Sequence, residues 1–129
     1  MFSAQSGDMV DQIVSSREWA MFAFGASGDR VVINADRSSV EVWDRRLGRT
    51  IASRDKTGML LSLAFSPDET RIVLSEMLSD NVWRSDLKQH LFDLPVPWTV
   101  FIGGEDVRFT PDGHRILTRN RMSGVIRVW

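Results

Sequence analysis

Apolar and polar residues alternate along most of this chain with a period of two. Leu61, Leu63 and Phe65 form one such run and Val40 and Val42 another, while no stretch carries apolar residues at helical spacing. A side-chain period of two suits strands that have one face in a core. Eleven strands are predicted, over 20–26, 30–35, 39–43, 49–54, 59–65, 71–75, 81–84, 89–94, 105–110, 115–118 and 125–129.

The predicted strands follow a repeating order. Phe24, Phe65 and Phe109 are each followed six residues later by an arginine (Arg30, Arg71, Arg115) and then by a β-rich run. Each unit goes on to a Val-Trp pair, at Val42-Trp43, Val82-Trp83 and Val128-Trp129. Between the Phe and the Arg lie tight-turn sequences such as Ser66-Pro67-Asp68 and Thr110-Pro111-Asp112-Gly113, in which Pro presets φ and Asp or Gly accepts the turn conformation. The Phe-to-Phe spacings of 41 and 44 residues fit a unit of four short strands.

These elements resemble the WD-repeat (WD40) β-propeller family, and the resemblance covers nearly the whole chain. It rests on 64–68 (Ala-Phe-Ser-Pro-Asp), 107–113 and the Val-Trp endings, of which Val42-Trp43-Asp44 is nearest the family pattern. The resemblance implies an all-β fold of four-stranded antiparallel blades around a central channel. About three repeats are expected, as one partial propeller domain over 1–129: an outer strand at about 7–15, then blades at about 19–54, 59–94 and 98–129. The third blade is expected to stop before its fourth strand, leaving an incomplete ring. Such an open arc exposes faces and edges whose wetting is costly, so completion is expected from a second copy or from the remainder of a longer propeller. The Gly-His pair that commonly opens the family's repeat is missing, because the matching stretches are 15–18, 55–58 and 102–105. The network linking that His to the terminal Trp is therefore not expected, and apolar packing should carry more of the stability. TolB-type propeller repeats are similar in their Ser-Pro-Asp-Gly turns, but the Val-Trp endings favour the WD-repeat resemblance.

Composition narrows the functional classes. The net charge is -1 with 16 basic and 17 acidic residues, which gives no general attraction to nucleic acid or anionic lipid, and neither partner is expected. Only Lys56 and Lys88 among the basic residues are lysine, an arginine bias that suggests a GC-rich bacterial genome. The absence of cysteine excludes disulfides and thiol chemistry and fits a reducing compartment, so a cytoplasmic location is expected. Neither a signal peptide nor an apolar run of membrane-spanning length is seen.

Candidate chemistry is sparse. His90 falls in an outer strand and His114 follows a turn, which makes a poor metal site, and no cofactor is expected. Asp29, Asp68 and Asp112 recur in the three turns at positions read as equivalent, and turn formation accounts for them. No enzyme is expected. The resemblance implies a non-catalytic protein–protein interaction scaffold, part of a larger bacterial signalling or assembly protein. The alternative is a TolB-like or enzyme-associated propeller fragment whose chemistry lies elsewhere. Trp19 and Trp98 fall out of phase with the repeat, near connections between blades. Aromatic residues and arginine dominate interface hot spots, so the candidate contact residues are Arg17, Trp19, Arg37 and Trp98, with Met77 and Met122 adding adaptable apolar contact.

Overall fold

The computed structural model describes residues 4–9, 12, 21–34, 39–55, 58–77, 79–95 and 105–129. They contain eleven strands: β1 (Phe22–Phe24), β2 (Arg30–Ile33), β3 (Ser39–Asp44), β4 (Arg49–Asp55), β5 (Leu60–Phe65), β6 (Arg71–Glu76), β7 (Ser79–Arg84), β8 (His90–Leu94), β9 (Glu105–Phe109), β10 (Ile116–Asn120) and β11 (Ile126–Val128). Each predicted strand is present, with ends shifted by a few residues. No helix occurs among the described residues. Of the outer strand expected at about 7–15, only residues 7–9 and 12 are described, with Met9 in an isolated bridge.

All pairing is antiparallel and sequential. The strands form two four-stranded sheets, β1-β2-β3-β4 and β5-β6-β7-β8, and a three-stranded sheet of β9, β10 and β11. The first sheet touches the second and the second touches the third, and the sheets are not closed. β5 sits between β1 and β9 and contacts both.

The sequence repeat becomes one hairpin used three times. In the turns after Phe24, Phe65 and Phe109, the N–H of Gly28, Glu69 and Gly113 donates to the carbonyl of Gly25, Ser66 and Thr110 at 2.8–3.0 Å. The same three donors have left-handed backbones, with φ of 75°, 59° and 74°. A left-handed residue after the turn lets the strands leave with matching twist. Glycine takes that conformation freely and Glu69 does so at a cost.

Asp68 and Asp112 share one turn position. Each accepts the N–H two residues on, and each is bonded by the preceding hydroxyl, of Ser66 or Thr110. Asp29 does not match them. It stands two positions further along its turn and pairs with Arg45 at 2.6 Å, so the reading of three equivalent aspartates is corrected to two. Gly25 explains the difference, because it stands where Ser66 and Thr110 supply a hydroxyl. The first turn is tied from outside instead: the Ser27 N–H and Oγ donate to the Glu69 carboxylate at 3.1 and 2.9 Å. In the same way Arg71 of the second sheet donates to the Gly113 carbonyl at 3.0 Å.

Two cores lie between the sheets. Val32, Val40 and Val42 of the first sheet meet Leu63, Phe65, Ile72 and Leu74 of the second. Ala64, Val73 and Val82 of the second meet Val107 and Ile116 of the third. β6 is therefore buried on both faces, which is why it reads as an unbroken apolar run and not as an alternation. The Val-Trp pairs mark a further shared feature. The ladder to the outer strand shifts register between Val42 and Trp43 and again between Val82 and Trp83, a bulge that redirects the strand end. Two of the indole N–H groups find local acceptors, Asn81 Oδ1 for Trp83 (2.8 Å) and Thr118 Oγ1 for Trp129 (3.1 Å). Polar strand residues thus satisfy the indoles of Trp83 and Trp129.

Candidate interaction cleft

β1, β5 and β9 are each the end strand of their sheet, and their edges converge on one cleft of about 590 Å³. β5 forms its floor, with Leu61, Ser62, Leu63 and Phe65. β1 supplies Phe22 and Phe24, and the third sheet supplies Arg108, Phe109 and Arg121. Alternation along β1 sends Ala23 toward the second sheet and leaves both phenylalanines on the other face. Phe22 and Phe24 are 62% and 44% exposed, and their rings meet edge to face with centroids 5.9 Å apart. Large apolar side chains left this accessible in a concave site are a feature of contact surfaces.

The charge in the cleft is one-sided. Its lining includes two arginines and no carboxylate. Arg121 is held from behind by Asp106, through Nε at 3.0 Å and Nη2 at 2.6 Å, and it also reaches the Leu61 carbonyl at 3.4 Å. Arg119 joins the same carboxylate at 3.0 Å. The guanidinium hydrogen bond from Arg121 holds the Asp106 carboxyl below the usual carboxylate range, against a smaller opposing effect of burial. Arg108 of β9 is also among the lining residues and makes no ion pair with any described residue.

Met77 and Met122 stand at the same end of the molecule, in the β6–β7 and β10–β11 turns, and are 52% and 71% exposed. The N–H of Met77 donates to the carbonyl of Met59, itself exposed, at 2.9 Å. Met122 is fixed by the buried Asn120, whose side-chain oxygen accepts the N–H groups of Met122 and Ser123 at 3.0 and 2.8 Å. Arg121 in this turn reaches back to the start of β5, so the methionine end is continuous with the cleft. Arg17, Trp19, Arg37 and Trp98, the other candidate contact residues, lie outside the described residues.

The remaining titratable groups do structural work. His90 Nε2 pairs with Asp93 at 2.8 Å and its ring meets Trp83 edge to face, while His114 is exposed after its turn. Asp68 is pulled down to about 2, first by the Ser66 hydroxyl and then by Thr70. No group of three or more potential metal ligands and no helix long and apolar enough to cross a membrane occurs among the described residues.

Phe22, Phe24, Arg108 and Arg121 were not singled out from the sequence as contact residues. One signal existed for Arg108. The residue before the repeated Phe is alanine in the first two units, Ala23 and Ala64, and arginine in the third. No protein-family model matches the chain, and no curated protein matches it.

Proposed function

We propose that this chain is a non-catalytic protein–protein interaction scaffold, built as a partial β-propeller of the WD-repeat kind with its three sheets as successive blades. The observation that carries the reading is the cleft at the meeting of three strand edges, whose lining includes the exposed Phe22 and Phe24 as well as Arg108 and Arg121. Aromatic rings and guanidinium groups bring much binding energy for little lost side-chain freedom when they are held by strands. Three sequential meanders packed face to face, with one turn geometry and a bulge at two of the Val-Trp pairs, support the blade reading. In this reading the ring is completed by a second copy or by further repeats of a longer propeller, within a bacterial signalling or assembly protein in the cytoplasm.

The test is site-specific photo-crosslinking in cells, with a benzophenone amino acid placed singly at Phe22, Met77, Met122 and, on the outer strand β4, Thr50. Adducts to the same polypeptide from the first three positions, with little from Thr50, are expected. Equal yields from Thr50, or no adducts from the cleft and methionine end, refute the reading.

A further inference from the structure

We propose that two copies of this chain join head to tail. The outer face of the third sheet of one copy packs on the outer face of the first sheet of the other, and two such junctions close a ring of six sheets, three from each copy. The inference rests on the interaction reading above and names a second copy, not further repeats, as what completes the ring.

The first argument is the repeat. Both junctions inside the chain join one kind of face to another. Toward the following sheet, the first sheet presents the row Ala23, Val32, Val42 and the second the row Ala64, Val73, Val82. Toward the preceding sheet, the second presents Phe65, Ile72, Trp83 and the third Phe109, Ile116, Trp129. At the same repeat positions the outer face of the third sheet carries Arg108, Leu117, Val128 and that of the first carries Phe24, Val31, Trp43, each again a row of directly paired residues. The two outer faces are thus the two halves of a junction that the chain already makes twice. Phe24 and Val128 are 44% and 60% exposed, whereas their counterparts Phe65 and Val82 are buried.

The second argument is a tie with its donor at one end of the stack and its acceptor at the other. Between the second and third sheets, the Arg71 guanidinium lies 5.6 Å from the Phe109 ring centroid and donates to the Gly113 carbonyl at 3.0 Å. Arg115 holds the position of Arg71 in the third sheet, where it is exposed and its guanidinium makes no hydrogen bond or ion pair with a described residue. Phe24 and Gly28 hold the positions of Phe109 and Gly113 in the first sheet, and Gly28 shares the left-handed backbone of Gly113, with φ of 75° and 74°. In the joined copies Arg115 crosses to the ring of Phe24 and the carbonyl of Gly28 in the second copy. The junction between the first and second sheets has its own tie, from Ser27 to Glu69.

The third argument is charge and closure. Alternation puts Arg108, Arg115 and Arg119 on the outer face of the third sheet against one carboxylate, Asp106. On the outer face of the first sheet it puts Glu41 and Asp55, with no basic strand residue beside them. The faces therefore attract each other and each repels its own kind, which favours a head-to-tail junction over a face paired with itself. Arg108 departs from its row, because the other units have alanine there. It lies on the end strand β9, so its stem covers apolar surface while its charged head leaves at the cleft. A head-to-tail junction either closes or runs on as a filament, and six sheets fall within the roughly four to eight of closed rings. Met77 and Met122 lie in turns and stay outside the junction.

The test is light scattering coupled to size-exclusion chromatography of the intact chain over a dilution series. The expected mass is twice that of one chain. Arg115→Ala removes a charge-assisted bond from each junction and should raise the dissociation constant about tenfold per junction, about a hundredfold for the ring. Val128→Glu and Phe24→Glu should each give single chains, with far-ultraviolet circular dichroism unchanged because both sites are exposed in the isolated chain. Mixed in equal amounts, these two variants should pair again, because the Val128→Glu copy keeps its first sheet intact and the Phe24→Glu copy its third. A single-chain mass throughout the series, a mass above two chains, indifference to Arg115→Ala or Val128→Glu, or failure of the mixture to pair each overturns the proposal. If photo-crosslinks from Met77 and Met122 to another polypeptide persist in that case, the interaction reading stands and ring completion passes to further repeats.

Discussion

The structure makes β6 the centre of the molecule, and the two residues Ile72 and Val73 test that placement directly. They are adjacent and fully buried, but on opposite faces: Ile72 belongs to the core with the first sheet and Val73 to the core with the third. Val73→Ala removes two methyl groups, worth about 1.6 kcal/mol at ~0.8 kcal/mol per buried group. The unfilled space adds about 1 kcal/mol, for a total of about 2–3 kcal/mol. Ile72→Ala loses one more carbon and should cost about 3–4 kcal/mol, within the range for such truncations. For 129 residues, an unfolding entropy of about 2 cal/mol/K per residue converts the Val73 loss to a fall in Tm of about 8–12 °C. Leu91→Ala, in the exposed outer strand β8, should stay within about 0.5 kcal/mol. Urea unfolding followed by tryptophan fluorescence, with calorimetry for Tm, measures all three. In an ordinary sheet with one wet face, alternation would make one of the two β6 variants nearly neutral. A loss below about 0.5 kcal/mol for either Ile72→Ala or Val73→Ala would therefore refute the three-sheet stack.

Three smaller perturbations address the ties around that core. Glu69→Ala keeps the left-handed turn cost but removes both bonds to Ser27, so hydrogen exchange at Ser27 should accelerate while the turn at Thr110 to Arg115 is unaffected; equal acceleration in both turns would count against a direct tie. The Arg54 guanidinium lies 3.6 Å from the Trp83 ring centroid, so a double-mutant cycle with Arg54→Met and Trp83→Leu should give a coupling of about 0.5–2 kcal/mol, and additive losses would deny the contact. Asp68, Asp86, Asp106 and Asp112 all have carboxyls lowered by hydrogen bonds, so they stabilise the fold above the ordinary carboxylate range near ~4 and lose that contribution as pH falls through their folded values, to about 2 for Asp68. Urea midpoints should fall steadily between pH 5 and pH 2, and Asp68→Asn should flatten the lower part of that profile.

The strands were legible because their signals are local. Alternation such as Leu61, Leu63 and Phe65 needs only neighbours in sequence, and the Phe-turn-Arg unit is self-contained. The cleft was less legible because its walls come from β1 and β9, more than 80 residues apart, and side chains that look like core residues in a strand become lining when the strand is at a sheet end. Asp29 is a different case, because spacing alone sets it apart: it stands five residues after Phe24, whereas Asp68 and Asp112 stand three after Phe65 and Phe109. What the turn sequence does not reveal is its partner Arg45 across the hairpin and the tie from Glu69 of another sheet to Ser27. Met77 and Met122 fall in the turns after the second strands of their units, a position that depends only on strand order.

Glu69 also bears on the order in which the molecule assembles. An isolated β5–β6 hairpin must hold a non-glycine residue in the left-handed region with no return, at a cost of about 1–2 kcal/mol. The return comes only when the turn of the first sheet arrives and Ser27 meets the carboxylate. The second hairpin thus matures together with its neighbour, and nucleation is displaced from the turn to the contact between sheets. A glycine at 69 would free that hairpin to close early, at the expense of the cooperativity that joins the first two sheets into one folding unit.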